Sequence, residues 1–294
     1  IKTYPQIHAL YSMNDSVGCN PFRVTFTNNS TGQQFNAWTF GDGSSSINAS
    51  PSHTYINSRL TDTLFYPKFL VTSQFGCRDS ILDTIKVHPK PIANFSKNKT
   101  NGCHPLPVGL INTSSIADTN FWFFGDGTTL FTNNTNVNHT YTNLGTSSIL
   151  RTIELRVATQ FGCKDTVTQT VDVYPEIISD FSLSDTSGCT DLTVNFTDKS
   201  KGAQFFTWKF GDGDTSSSKN SSHTYSTALF KDTTFKVDFI LRSTYGCDDT
   251  LSKYIIVHPK PISIFNTSSL RGCQPLNVTF TNQSVLNSNS IWNF

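Results

Sequence analysis

A six-residue motif that returns at a nearly fixed interval is the feature that most constrains the fold of this chain. The motif Trp-x-Phe-Gly-Asp-Gly begins at Trp38, Trp122 and Trp208, and the Trp-x-Phe of a fourth copy begins at Trp292. The four tryptophans are spaced by 84, 86 and 84 residues. A period this regular indicates a tandem array of similar domains rather than one large domain.

Two cysteines mark each period. The early cysteines follow a glycine upstream of the tryptophan, and they are Cys19, Cys103, Cys189 and Cys273. The late cysteines follow a glycine downstream of a His-Thr-Tyr motif, and they are Cys77, Cys163 and Cys247. We predict the last strand of a preceding repeat at 1–6, a first repeat at 7–90, a second at 91–176, a third at 177–260, and the N-terminal part of a further repeat at 261–294. The chain is therefore expected to be an excerpt of a longer protein.

Composition excludes several classes of partner and compartment. A net charge of +1 argues against a nucleic-acid or anionic-membrane surface, because both attract a basic face. The sequence has no run of 18 or more apolar residues, so we expect no membrane span. Seven cysteines at fixed places in the repeat predict disulfides and an oxidising compartment. Their spacing lacks the close pairs of a zinc site, and no cofactor is expected.

The hydrophobic pattern within a repeat is that of β-strands. Leu106, Val108 and Leu110 alternate with other residues, and the longest alternation includes Val237 and Phe239. The segment 102–105, Gly-Cys-His-Pro, is interpreted as a turn after the first strand. No segment of ten or more residues has helical periodicity. Each repeat is predicted to be an all-β domain of about seven short strands in a two-sheet sandwich, with short proline-bearing linkers that place the repeats end to end.

The order of these motifs resembles a known family. Trp-x-Phe-Gly-Asp-Gly, a polar stretch, His-Thr-Tyr and a long alternating strand are similar to the polycystic-kidney-disease (PKD) domain, an immunoglobulin-like β-sandwich. The early Gly-Cys-x-Pro and late Gly-Cys-x-Asp resemble the PKD arrays of very large secreted proteins of Bacteroidota, some of them gliding-motility adhesins exported by the type 9 secretion system. The second repeat departs from the others at Arg151, where they have Phe65 and Phe235.

The aspartate of each Gly-Asp-Gly turn has two interpretations. The structural one is that Asp42, Asp126 and Asp212 accept backbone N–H groups and fix the turn. The resemblance also implies a calcium site, since some PKD domains bind calcium. Calcium takes six to eight oxygen ligands, and acidic residues near these turns are few, so these aspartates are weak candidates.

The conserved-looking aromatic and histidine positions are expected to be structural. The tryptophans alternate with phenylalanine on one strand face, which predicts core positions rather than sugar-stacking platforms. The tyrosine of each His-Thr-Tyr precedes the longest strand, as the tyrosine of a tyrosine corner does, and the histidines are expected to make structural hydrogen bonds. The tyrosines are Tyr55, Tyr141 and Tyr225, and the histidines are His53, His139 and His223.

No combination of residues predicts catalysis. The sequence has no serine or cysteine in a nucleophile elbow, no evident carboxylate pair and no glycine-rich loop that leads into a helix. We therefore expect no enzyme activity and no catalytic residue in this segment.

Six Asp-Ser/Thr-apolar triplets are similar to the O-glycosylation acceptor pattern of Bacteroidota. The simpler interpretation is that Asp and Thr suit hairpin exits and exposed strand faces. The candidate acceptors are Ser16, Thr63, Ser80, Thr84, Thr166 and Thr250.

The sandwich topology leaves two ways to pair the cysteines. Pairing within a repeat would give Cys19–Cys77, Cys103–Cys163 and Cys189–Cys247. In a seven-strand sandwich, however, the first turn and the last hairpin lie at opposite ends, about 23 Å apart, whereas bridged Cα atoms lie within about 7 Å. In a head-to-tail array the first turn of one repeat faces the last hairpin of the next. This argument favours Cys19–Cys163 and Cys103–Cys247.

These features predict a structural role at a bacterial cell surface. The favoured function is a rod or stalk segment of a large secreted adhesin or extracellular filament, whose main partners are the other repeats of the same chain. The alternative is a set of carbohydrate- or protein-binding accessory modules of a secreted hydrolase, with a surface polysaccharide or protein as ligand.

Overall fold

All regular secondary structure in the described residues is β-strand. The computed structural model describes residues 2–228, 230–286 and 288–293. The first repeat contains β1 (Tyr11–Met13), β2 (Val17–Cys19), β3 (Phe22–Asn28), β4 (Phe35–Thr39), β5 (Ser45–Ser46), β6 (Ser52–Tyr55), β7 (Thr63–Phe65), β8 (Lys68–Thr72), β9 (Arg78–Leu82) and β10 (Ile85–His88). The second contains β11 (Phe95–Lys97), β12 (Asn101–Cys103), β13 (Leu106–Asn112), β14 (Thr119–Phe123), β15 (Thr129–Phe131), β16 (Asn136–Tyr141), β17 (Ile149–Ala158) and β18 (Lys164–Tyr174). The third contains β19 (Phe181–Leu183), β20 (Ser187–Cys189), β21 (Leu192–Asp198), β22 (Phe205–Lys209), β23 (Thr215–Ser216), β24 (Ser221–Tyr225), β25 (Thr233–Arg242) and β26 (Asp248–His258), and β27 (Phe265–Thr267) and β28 (Phe280–Asn282) follow.

Each complete repeat is a sandwich of two sheets. In the third repeat a three-stranded sheet has the order β19-β21-β24, and a five-stranded sheet has the order β20-β26-β25-β22-β23. The second repeat has the same arrangement, β11-β13-β16 and β12-β18-β17-β14-β15. The chain is therefore an all-β protein of tandem immunoglobulin-like domains, as the alternation predicts.

A core rich in aromatic side chains holds the two sheets of each repeat together. Trp208 of β22 is fully buried and stacks on its cross-strand neighbour Phe239, with ring centroids 3.7 Å apart. Trp38 stacks in the same way on Phe69 at 3.8 Å. Each fully buried large apolar side chain contributes roughly 1.5–3 kcal/mol through the hydrophobic effect, so the alternating positions account for most of the driving force.

The early Gly-Cys lies in a strand, which corrects the prediction of a turn at 102–105. Asn101–Cys103 forms β12, and the turn follows at His104-Pro105. The reason is that the first strand of each repeat changes sheets. In the third repeat β19 pairs antiparallel with β21, whereas β20 pairs parallel with β26. This change divides the first strand and gives eight strands in place of seven.

The first repeat differs because a proline interrupts its longest strand. Pro67 stands where the third repeat has Val237, and the strand is divided there into β7 and β8. The neighbouring strand is also divided, into β9 and β10, and Asp83 donates its backbone N–H to the Pro67 carbonyl at 3.1 Å. Since proline has no N–H to donate, the sheet separates into the orders β2-β10-β7 and β5-β4-β8-β9.

Contacts group the chain into two compact units. One consists of Ile1–Asn101, Leu106–Tyr141 and Leu150–Val173, and it contains the cores of the first and second repeats. The other consists of Gly102–Pro105, Thr142–Ile149 and Tyr174–Phe294, and it contains the core of the third repeat. In the latter unit β27 pairs with β28 as β19 pairs with β21.

Candidate functional site

The cysteines join successive repeats. Cys19 is bonded to Cys163 with a Cα–Cα distance of 5.4 Å, and Cys103 is bonded to Cys247 with a distance of 5.7 Å. These are the two pairs that the strand-end argument favours. In each, the early cysteine of one repeat bonds to the late cysteine of the next, 144 residues downstream.

The within-repeat alternative Cys19–Cys77, Cys103–Cys163 and Cys189–Cys247 is not formed. The late cysteine directly precedes the last strand of its repeat, whereas the early cysteine lies beside the end of that strand, as Cys189 does opposite His258. The last strand of the third repeat, β26, has 11 residues. At roughly 3.3 Å per residue it separates the two cysteines by about 35 Å, far beyond the reach of a disulfide.

A stacked pair of rings accompanies each junction between repeats. His88, at the end of β10, stacks on Phe161 with centroids 3.8 Å apart and an interplanar angle of 3°. Tyr174, at the end of β18, stacks on Tyr245 at 4.7 Å. The lower ring in each case belongs to an aromatic-Gly-Cys sequence that contains the bonded late cysteine. A junction therefore consists of one covalent bond and one ring stack, two residues apart on the late hairpin.

The same ring stack forms upstream of the first repeat. Tyr4 stacks on Phe75 at 4.1 Å, and Phe75 belongs to the aromatic-Gly-Cys sequence of Cys77. Cys77 is a free cysteine, as are Cys189 and Cys273. The ring contact thus occurs at an end whose cysteine is unpaired.

The aspartate of each Gly-Asp-Gly turn links two motifs that are distant in sequence. Asp126 Oδ1 accepts the backbone N–H of Thr128 at 3.0 Å, as the structural interpretation predicts. Its Oδ2 lies 2.6 Å from Nε2 of His139, the histidine of His-Thr-Tyr. Asp42 with His53 and Asp212 with His223 repeat this contact at 2.6 Å. Burial would raise the pKa of Asp126, but hydrogen bonds from Thr128 and His139 outweigh burial and lower the pKa.

The histidine ring is fixed on both sides. His139 stacks on Phe124 at 4.0 Å and meets the edge of Tyr141 at 4.6 Å. The first and third repeats have the same stack, Phe40 with His53 and Phe210 with His223, both at 4.2 Å. The histidines are therefore structural, and each connects its turn to the core.

This cluster does not form a catalytic triad, although the first repeat contains Ser44 beside it. Ser44 Oγ lies 3.3 Å from His53 Nε2, and Asp42 Oδ2 contacts the same nitrogen at 2.6 Å. A triad requires the carboxylate on Nδ1 and the nucleophile on Nε2. Here both groups share Nε2, so the histidine cannot transfer a proton between them.

The calcium interpretation does not fit the turns. Both carboxylate oxygens of each turn aspartate already accept hydrogen bonds, from the backbone and from a histidine. Among the described residues, Asp212, Asp214 and His223 are the only group of three that could hold a metal ion. Calcium takes six to eight oxygen ligands and does not favour imidazole, so this group is not suited to it.

The tryptophans and tyrosines lie in the core. Trp38, Trp122 and Trp208 are at most 1% exposed, which rules out a sugar-stacking platform on these rings. The tyrosine-corner hydrogen bond is not formed in any repeat. Each tyrosine lies in a strand beside its histidine, and its buried hydroxyl has no partner among the described residues. The three tyrosines are Tyr55, Tyr141 and Tyr225.

A third periodic aspartate, which sequence reasoning assigned to the glycosylation triplets, fastens the start of each repeat. Asp79 accepts the backbone N–H of Ala9 at 2.7 Å, and Asp249 accepts that of Ser179 at 2.7 Å. Asp165 accepts that of Ala93 at 2.9 Å. These contacts support the simpler interpretation of the triplets. Four of the candidate acceptors are exposed and two are partly buried; the exposed ones are Ser80, Thr84, Thr166 and Thr250, and the others are Ser16 and Thr63.

The second repeat carries a cluster of aromatic side chains on the outer face of a sheet. Phe121 meets Phe123 at 4.7 Å and Phe131 at 6.3 Å, and Arg156 lies 4.2 Å above the Phe123 ring. Phe131 is 62% exposed. In the third repeat the positions of Phe121 and Phe123 are occupied by Thr207 and Lys209. The cluster is therefore specific to one repeat.

No helix long and apolar enough to cross a membrane occurs in the part of the chain that the structure describes.

Comparison with known proteins places the third repeat in a family. A family model described as "PKD domain" matches residues 175–257. No curated protein sequence matches the chain.

Solved structures with similar folds are all distant in sequence. The PKD1 domain of the Vibrio cholerae metalloprotease PrtV is 23% identical, and the match covers 28% of this chain and 96% of that one, with a TM-score of 0.23. An I-band fragment of titin is 10% identical over 88% of this chain and 100% of that one, with a TM-score of 0.46. A bacterial ice-binding adhesin is 15% identical over 86% and 99%, with a TM-score of 0.28.

The chain is thus a tandem array of PKD- and immunoglobulin-like domains, of which the third repeat matches the PKD family.

Proposed function

We propose that this segment is a structural, non-catalytic stalk or spacer of a large secreted cell-surface adhesin or extracellular filament. The observation that carries the proposal is the pair of disulfides between successive repeats. Disulfides persist in oxidising environments, and together with the PKD match they are consistent with an extracellular location. A bond that joins two domains contributes nothing to a ligand site, but it limits how far the two domains can separate.

The two disulfides share load because their loops overlap. A reduced, unfolded chain can extend over every residue from Cys19 to Cys247. With both bonds intact, only two parallel segments can extend, from Cys19 to Cys103 and from Cys163 to Cys247. The extensible length therefore falls by 144 residues, and each remaining segment carries about half of the force. At roughly 3.5 Å per residue, the oxidised chain should be shorter by about 500 Å at full extension.

Single-molecule force extension of the oxidised chain, pulled from its two ends, tests this function. We expect a total unfolded contour length about 500 Å shorter than that of the same chain in a reducing agent. The Cys273→Ser variant is the matched control, since Cys273 is unpaired, and it should behave as the unaltered chain does. Equal contour lengths before and after reduction would contradict a load-bearing role for the disulfides.

The setting that we propose is the bacterial cell surface. The early Gly-Cys-x-Pro and late Gly-Cys-x-Asp motifs support a relation to gliding-motility adhesins exported by type 9 secretion. In that setting the exposed triplets at Ser80, Thr166 and Thr250 would carry O-glycans. The intact mass of protein purified from the native cells should then exceed the polypeptide mass, and the bare mass would exclude glycosylation.

A binding function is the second candidate, and the outer-face aromatic cluster of the second repeat favours it. Exposed rings beside Arg156 could stack on a polysaccharide or pack on a surface protein. Affinity electrophoresis in gels that contain soluble neutral polysaccharides would show retardation of the chain. The double variant Phe121→Thr, Phe123→Lys, which copies the third repeat, should then migrate freely. Unretarded migration of the unaltered chain in every gel would remove this candidate for neutral polysaccharides.

A further inference from the structure

We propose that the end of the third repeat is an open docking surface for one more aromatic-Gly-Cys hairpin, presented by a further repeat of the same kind. The proposed surface, hereafter the socket, consists of Cys189, His258, Asp232 and Lys260. The inference rests on the proposed function of the repeats as a linked array. It names the partner that this array accepts at its next position.

The first repeat shows what an occupied socket contains. Cys19 lies opposite His88 in a parallel strand pair, so that the thiol and the ring are neighbours. Asp62 holds His88 through Nδ1 at 2.7 Å, and the open face of the ring carries Phe161. Lys90, two residues after the histidine, pairs with Asp165 of the docked hairpin at 2.7 Å. The hairpin is therefore held at three points, by a disulfide, a ring stack and an ion pair.

The third repeat reproduces the receiving half of this arrangement. Cys189 lies opposite His258 in the same parallel register. Asp232 lies 2.8 Å from His258 Nδ1, as Asp62 does from His88. The backbone N–H after the cysteine also bonds to the histidine carbonyl in both places, at 2.7 Å from Thr190 and 2.9 Å in the first repeat. The histidine is therefore already oriented for a ring to stack on it.

The socket is open in the described part of the chain. Cys189 is exposed and unpaired, and no ring stacks on His258 there. The His258 side chain is 45% exposed, compared with 9% for His88. Lys260 pairs at 3.0 Å with exposed Asp191 of its own repeat, and that aspartate stands where the first repeat has Pro21. A docked Gly-Cys-x-Asp hairpin would offer Lys260 the carboxylate that Lys90 already has.

The covalent step is thiol–disulfide exchange. The Cys189 thiolate attacks the hairpin sulfur of a mixed disulfide, a new S–S bond forms, and the former partner leaves as a thiolate. No further oxidant is needed for this exchange. From two free thiols, the same bond would form by transfer of two electrons and two protons to a small disulfide, which is reduced to two thiols.

The probe is a peptide with the sequence of residues 239–254, a hairpin that includes Tyr245 and Cys247, used as its mixed disulfide with glutathione. It is equilibrated with the oxidised chain in a glutathione buffer, and tryptic mapping then reports its occupancy at each free cysteine. Cys273 is the internal control, because it is also exposed and preceded by glycine but has no histidine strand beside it. Ring stacking predicts about three- to tenfold more peptide at Cys189 than at Cys273.

Two variants separate the socket from simple thiol exposure. His258→Ala in the chain, or Tyr245→Ala in the peptide, should bring Cys189 labelling down to the Cys273 level. Equal labelling of the two cysteines by the unaltered pair would overturn the proposal. If the Cys19–Cys163 and Cys103–Cys247 peptides are intact in the same digest, that result leaves the proposed function standing. Their absence would remove both.

Discussion

The contact between the turn aspartate and the histidine is the residue-scale feature that recurs without change in all three repeats. Asp212 and His223 come from different motifs, and their 2.6 Å contact ties the Gly-Asp-Gly turn to a ring that stacks on Phe210. Burial opposes the charge on Asp212, but the hydrogen bonds from His223 and Asp214 lower its pKa. The carboxylate must therefore be ionised for the turn to be held fully.

We expect this aspartate to make the stability of the third repeat depend on pH. Because the folded-state pKa of Asp212 is lowered, its contribution is present above the unfolded pKa of about 3.9 and is lost as the pH falls through the folded value. Asp212→Asn should cost about 1–3 kcal/mol at neutral pH, the range for hydrogen bonds to charged groups. The difference from the unaltered chain should shrink at pH ~3.

Denaturant unfolding at the two pH values measures this effect. Asp185→Asn is the matched control, since Asp185 is exposed in the same repeat, and it should change stability by less than about 0.5 kcal/mol. A cost for Asp212→Asn that is the same at both pH values would show that the charge on the carboxylate is not what matters.

Sequence predicted the turn aspartate and the core tryptophans but not the link between aspartate and histidine. Asp126 and His139 are 13 residues apart, and Asp212 and His223 are 11 apart, so no local rule joins them. They meet because strand pairing brings the two motifs together at one end of the sandwich. The shared period of the two motifs was the available signal.

Strand continuity is the element-scale property that distinguishes the first repeat. Alternation predicted the long strands well, because an inward face of large apolar side chains fixes the register. The prediction failed to divide the first strand, since its change of sheets depends on which neighbours it meets rather than on its own sequence. Pro67 was a readable signal for the other break, because proline has no ladder hydrogen bond to give.

Exchanging Pro67 with its counterpart should exchange this property. Val237→Pro should destabilise the third repeat by about 3 kcal/mol or more, because β25 is a central strand between β22 and β26. Pro67→Val should slow hydrogen exchange at residues 66–68 as β7 and β8 become continuous. Unchanged exchange there would mean that Asp83 and its neighbours, rather than the proline, hold the strand apart.

At the scale of the whole molecule, the disulfides are the strongest constraint on the unfolded chain. Each closes a loop of 144 residues, and a loop of that length lowers the entropy of the unfolded state by the equivalent of roughly 5 kcal/mol in the chain-entropy model. Native strain and residual structure reduce that figure, to about 2–5 kcal/mol in practice. Sequence could favour these pairs because strand direction fixes which cysteines share an end of a sandwich. It could not choose between within-repeat and inter-repeat pairing from spacing alone.

Single cysteine variants should reveal that constraint. Cys19→Ser and Cys103→Ser are each expected to lower the free energy of unfolding by about 2–5 kcal/mol, seen by calorimetry as a lower midpoint. Cys189→Ser is the control, because it removes an unpaired early cysteine at the equivalent position. Equal midpoints for all three variants would contradict a stabilising role for the two bonds.

Non-reducing tryptic mapping of the disulfides tests the central claim, a covalent bond between successive repeats, most directly. Trypsin cleaves between every pair of neighbouring cysteines in this sequence, so each of the seven falls in its own peptide. We predict linked peptides that contain Cys19 with Cys163 and Cys103 with Cys247. Linkage of Cys19 with Cys77 and of Cys103 with Cys163 would contradict the account, because each repeat would then be closed on itself and nothing covalent would join it to the next.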